Sequence, residues 1–123
     1  MEELFNDILG LDDVKGIMLF SEAGELIFKY FHVSPPGKFE DAAGPLIETL
    51  KGVREADLVF QNGRIYFRST HSIFLFIFCG LLAPMAMLRL NSDLLMPVLE
   101  STGKKKGKIS IPDAIKKKLG RNR

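Results

Sequence analysis

Cysteine, tryptophan and histidine are nearly missing from this chain of 123 residues, which has one cysteine, no tryptophan and two histidines. The single cysteine, Cys79, excludes a disulfide framework within the chain. His32 and His71 are far apart in the sequence, and a metal site needs three or four ligands at suitable spacing. We therefore predict that the protein holds no metal and no cofactor.

Motifs of common catalytic and nucleotide-binding sites are also missing. No Gly-x-x-x-x-Gly-Lys-Ser/Thr phosphate loop occurs. The acidic pairs Asp12-Asp13 and Glu40-Asp41 lie at element boundaries, where acidic residues typically begin or cap helices. Cys79 ends an apolar run, which favours a buried, inert thiol. We predict that the protein is not an enzyme.

No apolar run has the length of a membrane-spanning helix. The one membrane-like stretch, residues 73–88, has 16 residues without a charge and contains Gly80 and Pro84, whereas a span needs about 20. We interpret the run as a buried strand followed by a loop. The acidic N-terminus is unlike a secretory signal, and scarce cysteine suits a reducing compartment. We therefore expect a cytoplasmic protein.

The net charge of +2 conceals two oppositely charged parts. Residues 1–102 carry 8 Lys and Arg against 14 Asp and Glu, a net charge of −6, whereas residues 103–123 carry a net +8. The body, 46% hydrophobic over the whole chain, suits one packed domain. A block of like charges is typical of a flexible tail. We predict a domain at 1–102 and a basic, flexible tail at 103–123.

Hydrophobic periodicity predicts the element order α-β-β-α-β-β-β-α. Helices are expected at 2–10, 39–53 and 84–101, and strands at 14–20, 25–33, 56–62, 64–70 and 73–79. This order indicates an α/β (α+β) fold with a five-stranded, mainly antiparallel sheet and helices on one or both faces.

Glycine and proline refine these elements. Gly24 favours a turn between the first two strands. Asn62-Gly63 predicts a type I′ hairpin turn, in which both central residues have positive φ. Pro45 and Pro97 lie inside two predicted helices, so we expect these helices to kink or to begin late.

Three segments of the sequence carry a family resemblance. They are Val14-Lys15-Gly16-Ile17 leading into Gly24-Glu25-Leu26-Ile27, then Asn62-Gly63-Arg64-Ile65-Tyr66-Phe67-Arg68, then Leu88-Arg89-Leu90 after an apolar fifth strand. Together with the element order, they resemble the Roadblock/dynein light chain family over residues 1 to about 101.

The resemblance implies a homodimer that regulates or scaffolds a small Ras-like GTPase. Some members of the family stimulate GTP hydrolysis without supplying a catalytic residue. In the family the middle helices pack together, and the third strands pair across the two-fold axis. On this chain, that places at the interface Phe39, Ala43, Leu46, Leu50, Asp57, Val59 and Gln61. The Gly44-Pro45 pair departs from a regular helix in this face.

The third strand favours pairing on physical grounds as well. Asp57 is followed by Leu58, Val59 and Phe60, and an exposed edge of this kind is an aggregation hazard that proteins cover or pair. Closed two-fold symmetry is the commonest way to pair it. The alternative is that Phe39 and Leu46 simply cover their own sheet.

Arginine and tyrosine residues after the middle helix are candidates for binding a partner. Arg64, Tyr66 and Arg68 alternate along the fourth strand and therefore share one face, and Arg54 precedes the third strand. Arginine is favoured at interfaces because of its forked donors and flat stem. The alternative is a solvated strand face.

The basic tail has three interpretations. It is a disordered end, it binds an anionic surface (phospholipid, nucleic acid or an acidic partner), or it docks on the acidic body of its own or a neighbouring subunit. The residues expected to bind are Lys104, Lys105, Lys106, Lys108, Lys116, Lys117 and Lys118. About 14 tail residues are similar to the opening of an AbrB-type DNA-binding domain. The further strands of that domain do not follow, so we do not expect a complete one.

Two alternatives to GTPase regulation come from other functional classes. One is binding to nucleic acid or an anionic membrane surface through the tail. The other is binding of a small molecule in a pocket lined by some of the ten phenylalanines. Phenylalanine is usually a core residue, so we keep GTPase regulation as the main hypothesis.

Overall fold

A five-stranded sheet with helices on both faces forms the protein. The structure is a computed structural model that describes residues 2–32 and 39–106, with side chains described for residues 3–32 and 43–101. A 3-10 turn, Glu2–Phe5, leads into α1 (Asn6–Leu9), β1 (Val14–Ser21), β2 (Leu26–Phe31), α2 (Phe39–Thr49), β3 (Glu55–Phe60), β4 (Gly63–Ser69), β5 (Ile73–Cys79) and α3 (Met85–Lys106). The predicted element order is confirmed.

The strand order in the sheet is β2-β1-β5-β4-β3, and all four neighbouring pairs are antiparallel. The predicted antiparallel sheet is therefore confirmed. β1 and β5 lie at its centre because both are apolar on both faces. The ring of Phe31 on β2 lies where a Cβ on Gly16 of β1 would be. This close contact requires glycine in the first of the segments that resemble the family.

Each face of the sheet has its own core. α1 and α3 cover one face and pack with Ile17, Leu19, Tyr66, Leu75 and Ile77. α2 covers the opposite face, where its buried residues meet a cluster rich in phenylalanine: Phe20, Phe67, Phe74 and Phe76. The phenylalanines described there are core residues, with Phe20, Phe67, Phe74 and Phe76 all at most 4% exposed.

The two hairpin turns differ in how well the sequence predicts them. Gly24 has a φ of +89°, as the first turn requires. The predicted type I′ turn at Asn62-Gly63 is wrong: Phe60 pairs with Gly63, so the loop residues are Gln61 and Asn62, and neither has positive φ. Gly63 belongs to β4 instead, where a Cβ would lie 3.2 Å from the carbonyl oxygen of Cys79.

Neither proline ends its helix. Pro45 lies inside α2 and Pro97 inside α3, and α3 runs on without restarting. Burial of Ala43 and Ile47 compensates for the hydrogen bond that Pro45 removes, because tertiary packing supplies most helical stability. α2 ends at Thr49, four residues before the predicted end, and Gly52 follows with a φ of +87°.

The last helix extends beyond its predicted end at Ser101. α3 continues to Lys106 and so includes Lys104, Lys105 and Lys106. Lys108 and residues 116–118 lie outside the described residues. Binding of these lysines to an anionic surface stays a prediction.

Candidate functional site

β3 forms an exposed edge of the sheet. It pairs with β4 on one side, and no strand in the described part of the chain lies on its other side. At its end, Val59 is 57% exposed and Phe60 is 53% exposed. The Arg64 Nε lies 3.2 Å from Oδ1 of Asp57. The edge therefore combines apolar side chains with one ion pair, which suits it to pairing with a second strand.

α2 contributes less to a candidate interface than the sequence predicts. Ala43 and Leu50 are 1% and 8% exposed and pack on the chain's own sheet, so they offer little surface to a partner, and their placement at a dimer interface stays a prediction. Their apolar spacing is explained by the core beneath α2. Leu46 is half-buried, and the side chain of Phe39 lies outside those described.

The exposed predicted interface residues are Asp57, Val59 and Gln61. Phe60, which the sequence analysis names as part of the same apolar edge, is exposed beside them. Strand alternation would direct its side chain toward the other face of the sheet. Its position directly before the turn is the signal that indicates its exposure.

Arg64, Tyr66 and Arg68 share a face of β4, as predicted, but α3 covers that face. Tyr66 is fully buried, so it has no surface for a partner to contact. Its hydroxyl donates to Oε2 of Glu55 and accepts from Nη1 of Arg68 at 3.1 Å.

Two contacts extend these hydrogen bonds to α3. Arg68 Nη2 donates to Oδ1 of Asp93 at 2.7 Å, and Arg89 Nε donates to Oε2 of Glu55 at 2.7 Å. We call these five residues (Glu55, Tyr66, Arg68, Arg89 and Asp93) the strand–helix network. It joins β3 and β4 to α3.

The network shifts the pKa values of Glu55 and Tyr66. The hydroxyl of Tyr66, followed by Arg89, donates to the Glu55 carboxylate and lowers the pKa of Glu55. Burial, followed by the hydrogen bond to Glu55, raises the pKa of Tyr66. Glu55 therefore stays ionised and Tyr66 protonated at neutral pH, which suits a structural connection between strand and helix.

Arg54 and Arg68 reach the same open groove. The groove has a volume of about 700 Å³ and lies between the ends of β3 and β4 and the second half of α3. Its lining residues are Arg54, Arg68, Ser69, Thr70, Asp93, Met96, Pro97, Glu100 and Ser101. The acids Asp93 and Glu100 are residues that the sequence analysis did not select, since nothing in their local pattern places them beside arginines of another element.

The groove brings together two of the four predicted partner-binding residues. Arg54 is exposed, whereas Arg68 is held by Tyr66 and Asp93. Arg64 lies at the β3 edge with Asp57, and Tyr66 is buried. Arg54 is therefore the member of this set best placed to contact a partner.

The described residues hold no metal-binding cluster and no reactive thiol. In residues 2–32 and 39–106, no group of three or more His, Cys, Asp or Glu side chains is arranged to hold a metal ion. Burial raises the pKa of the Cys79 thiol to about 11, so it is a poor nucleophile at neutral pH. Of the described helices, none has the length and apolar character needed to cross a membrane.

Solved structures with the same architecture exist. The Roadblock/LC7 domain from Streptomyces avermitilis is 13% identical, and the match covers 81% of this chain and 93% of that one with a TM-score of 0.61. Myxococcus xanthus MglB is 15% identical, with coverages of 80% and 89% and a TM-score of 0.61. A structure described as MglB with a tetrameric arrangement is 11% identical, with coverages of 76% and 79% and a TM-score of 0.64.

No family model matches the sequence, and no curated protein matches it. The likeness to solved structures therefore lies in the path of the backbone. It shows that the chain has the Roadblock/LC7 fold, as its sequence segments and element order predict.

Proposed function

We propose that the protein is a homodimeric, non-catalytic regulator or scaffold of a small Ras-like GTPase in the cytoplasm. The observation that carries the proposal is the exposed apolar edge of β3 on a Roadblock/LC7 fold. The family resemblance implies both the pairing through this edge and the class of partner.

The β3 edge supports the dimer. Two copies of β3 pairing about a two-fold axis would satisfy the unpaired backbone groups of both edges and join two five-stranded sheets. The same contact would bury Val59 and Phe60, whose exposed apolar area favours association. An isologous contact of this kind closes on itself and leaves no edge for further growth.

The described side chains support a binding function over a catalytic one. The charged groups of the strand–helix network are paired with one another, and the Cys79 thiol is buried. A GTPase that binds at the groove beside α3 would contact the exposed Arg54. Arg54 is therefore the residue that we propose contacts the GTPase.

Binding of purified full-length protein to a small Ras-like GTPase encoded in the same genome tests the proposal. The GTPase is loaded with GDP or with a GTP analogue, and binding is measured by calorimetry. We expect the affinity for the GTPase to differ between its GDP-bound and GTP-analogue-bound states. A regulator would also change the rate of GTP hydrolysis, whereas a scaffold would form a stable complex that leaves this rate unchanged. Absence of binding in both states, with unchanged hydrolysis, would overturn the proposal.

A pair of charge-reversal variants tests the role of Arg54. Arg54→Glu should weaken binding by about tenfold or more, because interface arginines are often energetic centres. Lys51→Glu is the matched control, since Lys51 is also exposed and forms its ion pair with Glu48 of the same segment. Equal weakening by both variants would indicate general electrostatic attraction and contradict a specific role for Arg54.

A further inference from the structure

α3 is apolar on its outer side as well as on the side that faces the sheet. Leu88, Leu95 and Leu99 are buried in the core. On the outer side, Met87, Leu90 and Leu94 are 44%, 51% and 68% exposed. Their spacing of three and four residues makes one stripe along the helix. Large apolar side chains that are exposed side by side in this way indicate a surface that something covers.

A small groove lies beside this stripe, between α1 and α3. It has a volume of about 160 Å³, and its lining includes the apolar residues Leu4, Ile8, Leu94 and Leu95. Asp7 lies at the same groove, is exposed, and forms no ion pair with the described residues. The first 14 residues of the chain contain five acids and no basic residue. The surface therefore suits a ligand that is both apolar and basic.

We propose that this α1–α3 surface is the docking site of the chain's own basic C-terminal segment, residues 107–119. The segment has the complementary chemistry, because it contains four aliphatic residues and four lysines: Ile109, Ile111, Ile115, Leu119, Lys108, Lys116, Lys117 and Lys118. An isoleucine or leucine enters the groove, and a lysine beside it pairs with Asp7. The net charges of +8 and −6 on the two parts of the chain favour the contact.

The chain length permits this contact within one molecule. From Val98, at the groove, to Lys106, at the end of α3, the helix rises about 12 Å at 1.5 Å per residue. The nine residues 107–115 span up to about 30 Å when extended. The segment can therefore return along α3 as far as the groove and Leu94.

The acidic side chain of Asp7 favours residues 107–119 over the other molecules that would cover the stripe. Anionic lipid or nucleic acid would bring phosphates close to Asp7 at the groove, which is electrostatically unfavourable. A second copy of α3 would cover the stripe but would leave Asp7 without a basic partner. Docking of residues 107–119 covers the stripe and supplies the cation. It also withdraws the tail lysines from other anionic surfaces.

Cysteine cross-linking in the full-length chain tests the proposal. The double variant Leu94→Cys with Ile115→Cys is oxidised, and the product is separated without reductant. Native Cys79 is buried and does not compete. The matched control pairs Ile115→Cys with Thr49→Cys, an exposed position on α2 on the opposite face of the sheet. Circular dichroism and thermal melting check the fold of each variant.

We expect an intramolecular disulfide between positions 94 and 115 that forms about tenfold faster than the control disulfide, because docking raises the local concentration of the two thiols. Adding Asp7→Lys should slow it by about two- to fivefold, the range expected for one exposed ion pair. High salt should slow it as well. Equal rates for both cysteine pairs, or a product linking two chains, would overturn the proposal.

Binding to vesicles that contain phosphatidylglycerol distinguishes docking of residues 107–119 from insertion of the α3 stripe into a membrane. If the segment is docked, Asp7→Asn, which adds no cation of its own, releases the lysines and strengthens vesicle binding relative to the natural sequence. If the α3 stripe itself enters the membrane, Leu90→Ser with Leu94→Ser abolishes vesicle binding. The first result supports docking within the chain, and the second contradicts it.

Discussion

The two edges of the sheet, β2 and β3, make different contacts with the rest of the chain. At the β2 edge, Phe28 stacks on Phe5 with ring centroids 5.2 Å apart, and Nε2 of His32 hydrogen-bonds to the carbonyl oxygen of Leu9 at 3.0 Å. At the β3 edge, Val59 and Phe60 remain more than half exposed. One edge is anchored to the N-terminal 3-10 turn and α1, whereas at the other edge the first residue, Glu55, is hydrogen-bonded to Arg89 of α3.

This difference has a physical meaning. An edge strand exposes backbone donors and acceptors that can pair with any other strand, so proteins cover it or use it. Contacts with α1 stabilise β2 within the chain. The apolar end of β3 has no such contact in the described residues, which is why we propose that a second copy covers it.

The largest expected effect comes from removing the anchor of the β2 edge. Phe5 is fully buried and stacks on Phe28, so Phe5→Ala should lower the free energy of unfolding by about 3–5 kcal/mol, from lost burial and the cavity left behind. Denaturant unfolding measures it. Leu26→Ala on the same edge, where Leu26 is 40% exposed, should cost about 1 kcal/mol. Equal losses would show that the β2 edge is not anchored through Phe5.

A smaller effect on the free energy of unfolding is expected from the strand–helix network, at the start of β3. Tyr66→Phe removes the hydroxyl that connects Glu55 with Arg68, and should lower the free energy of unfolding by about 1–2 kcal/mol. Tyr30→Phe is the matched control, because Tyr30 on β2 contacts His32 through its ring. It should change the free energy of unfolding by less than about 0.5 kcal/mol. A larger effect at Tyr30 would contradict the role assigned to the strand–helix network.

The smallest expected effect is a pH dependence of the protein's stability that comes from Glu55, the first residue of β3. The pKa of Glu55 is lowered in the folded protein, first by the hydroxyl of Tyr66 and then by Arg89. Its contribution to stability is therefore present above its unfolded pKa and is lost as the pH falls through the lower folded value.

Melting temperatures measured from neutral pH down to about pH 2 test this. Glu55→Gln should flatten the acid limb of the curve, whereas Glu22→Gln, at an exposed turn residue, should leave it unchanged. An acid limb that is the same for Glu55→Gln and the natural sequence would contradict the pKa shift.

Local sequence patterns were enough to predict most of the sheet. β5 has the predicted bounds, because its apolar residues can only be buried. The Asn62-Gly63 turn was wrong because close packing of Gly63 against Cys79 decided the register. Pro45 and Pro97 did not break their helices, because tertiary packing outweighs local propensity.

The candidate site was harder to predict than the fold. The apolar spacing of α2 is the same whether a helix covers its own sheet or a partner, so Ala43 and Leu50 could not be assigned to a face from sequence. The alternation of Arg64, Tyr66 and Arg68 correctly placed them together. It did not show that α3 covers that face, because Asp93 is 25 residues away from Arg68 in the chain.

Sedimentation equilibrium of the full-length protein tests the proposed pairing of β3 most directly. We predict a dimer for the natural sequence and for Leu26→Lys on the β2 edge. Val59→Lys on the β3 edge should be a monomer with an unchanged circular dichroism spectrum, because two facing lysines would place like charges at the strand pair. A monomeric natural protein, or a dimer that Leu26→Lys disrupts and Val59→Lys does not, would contradict pairing through β3.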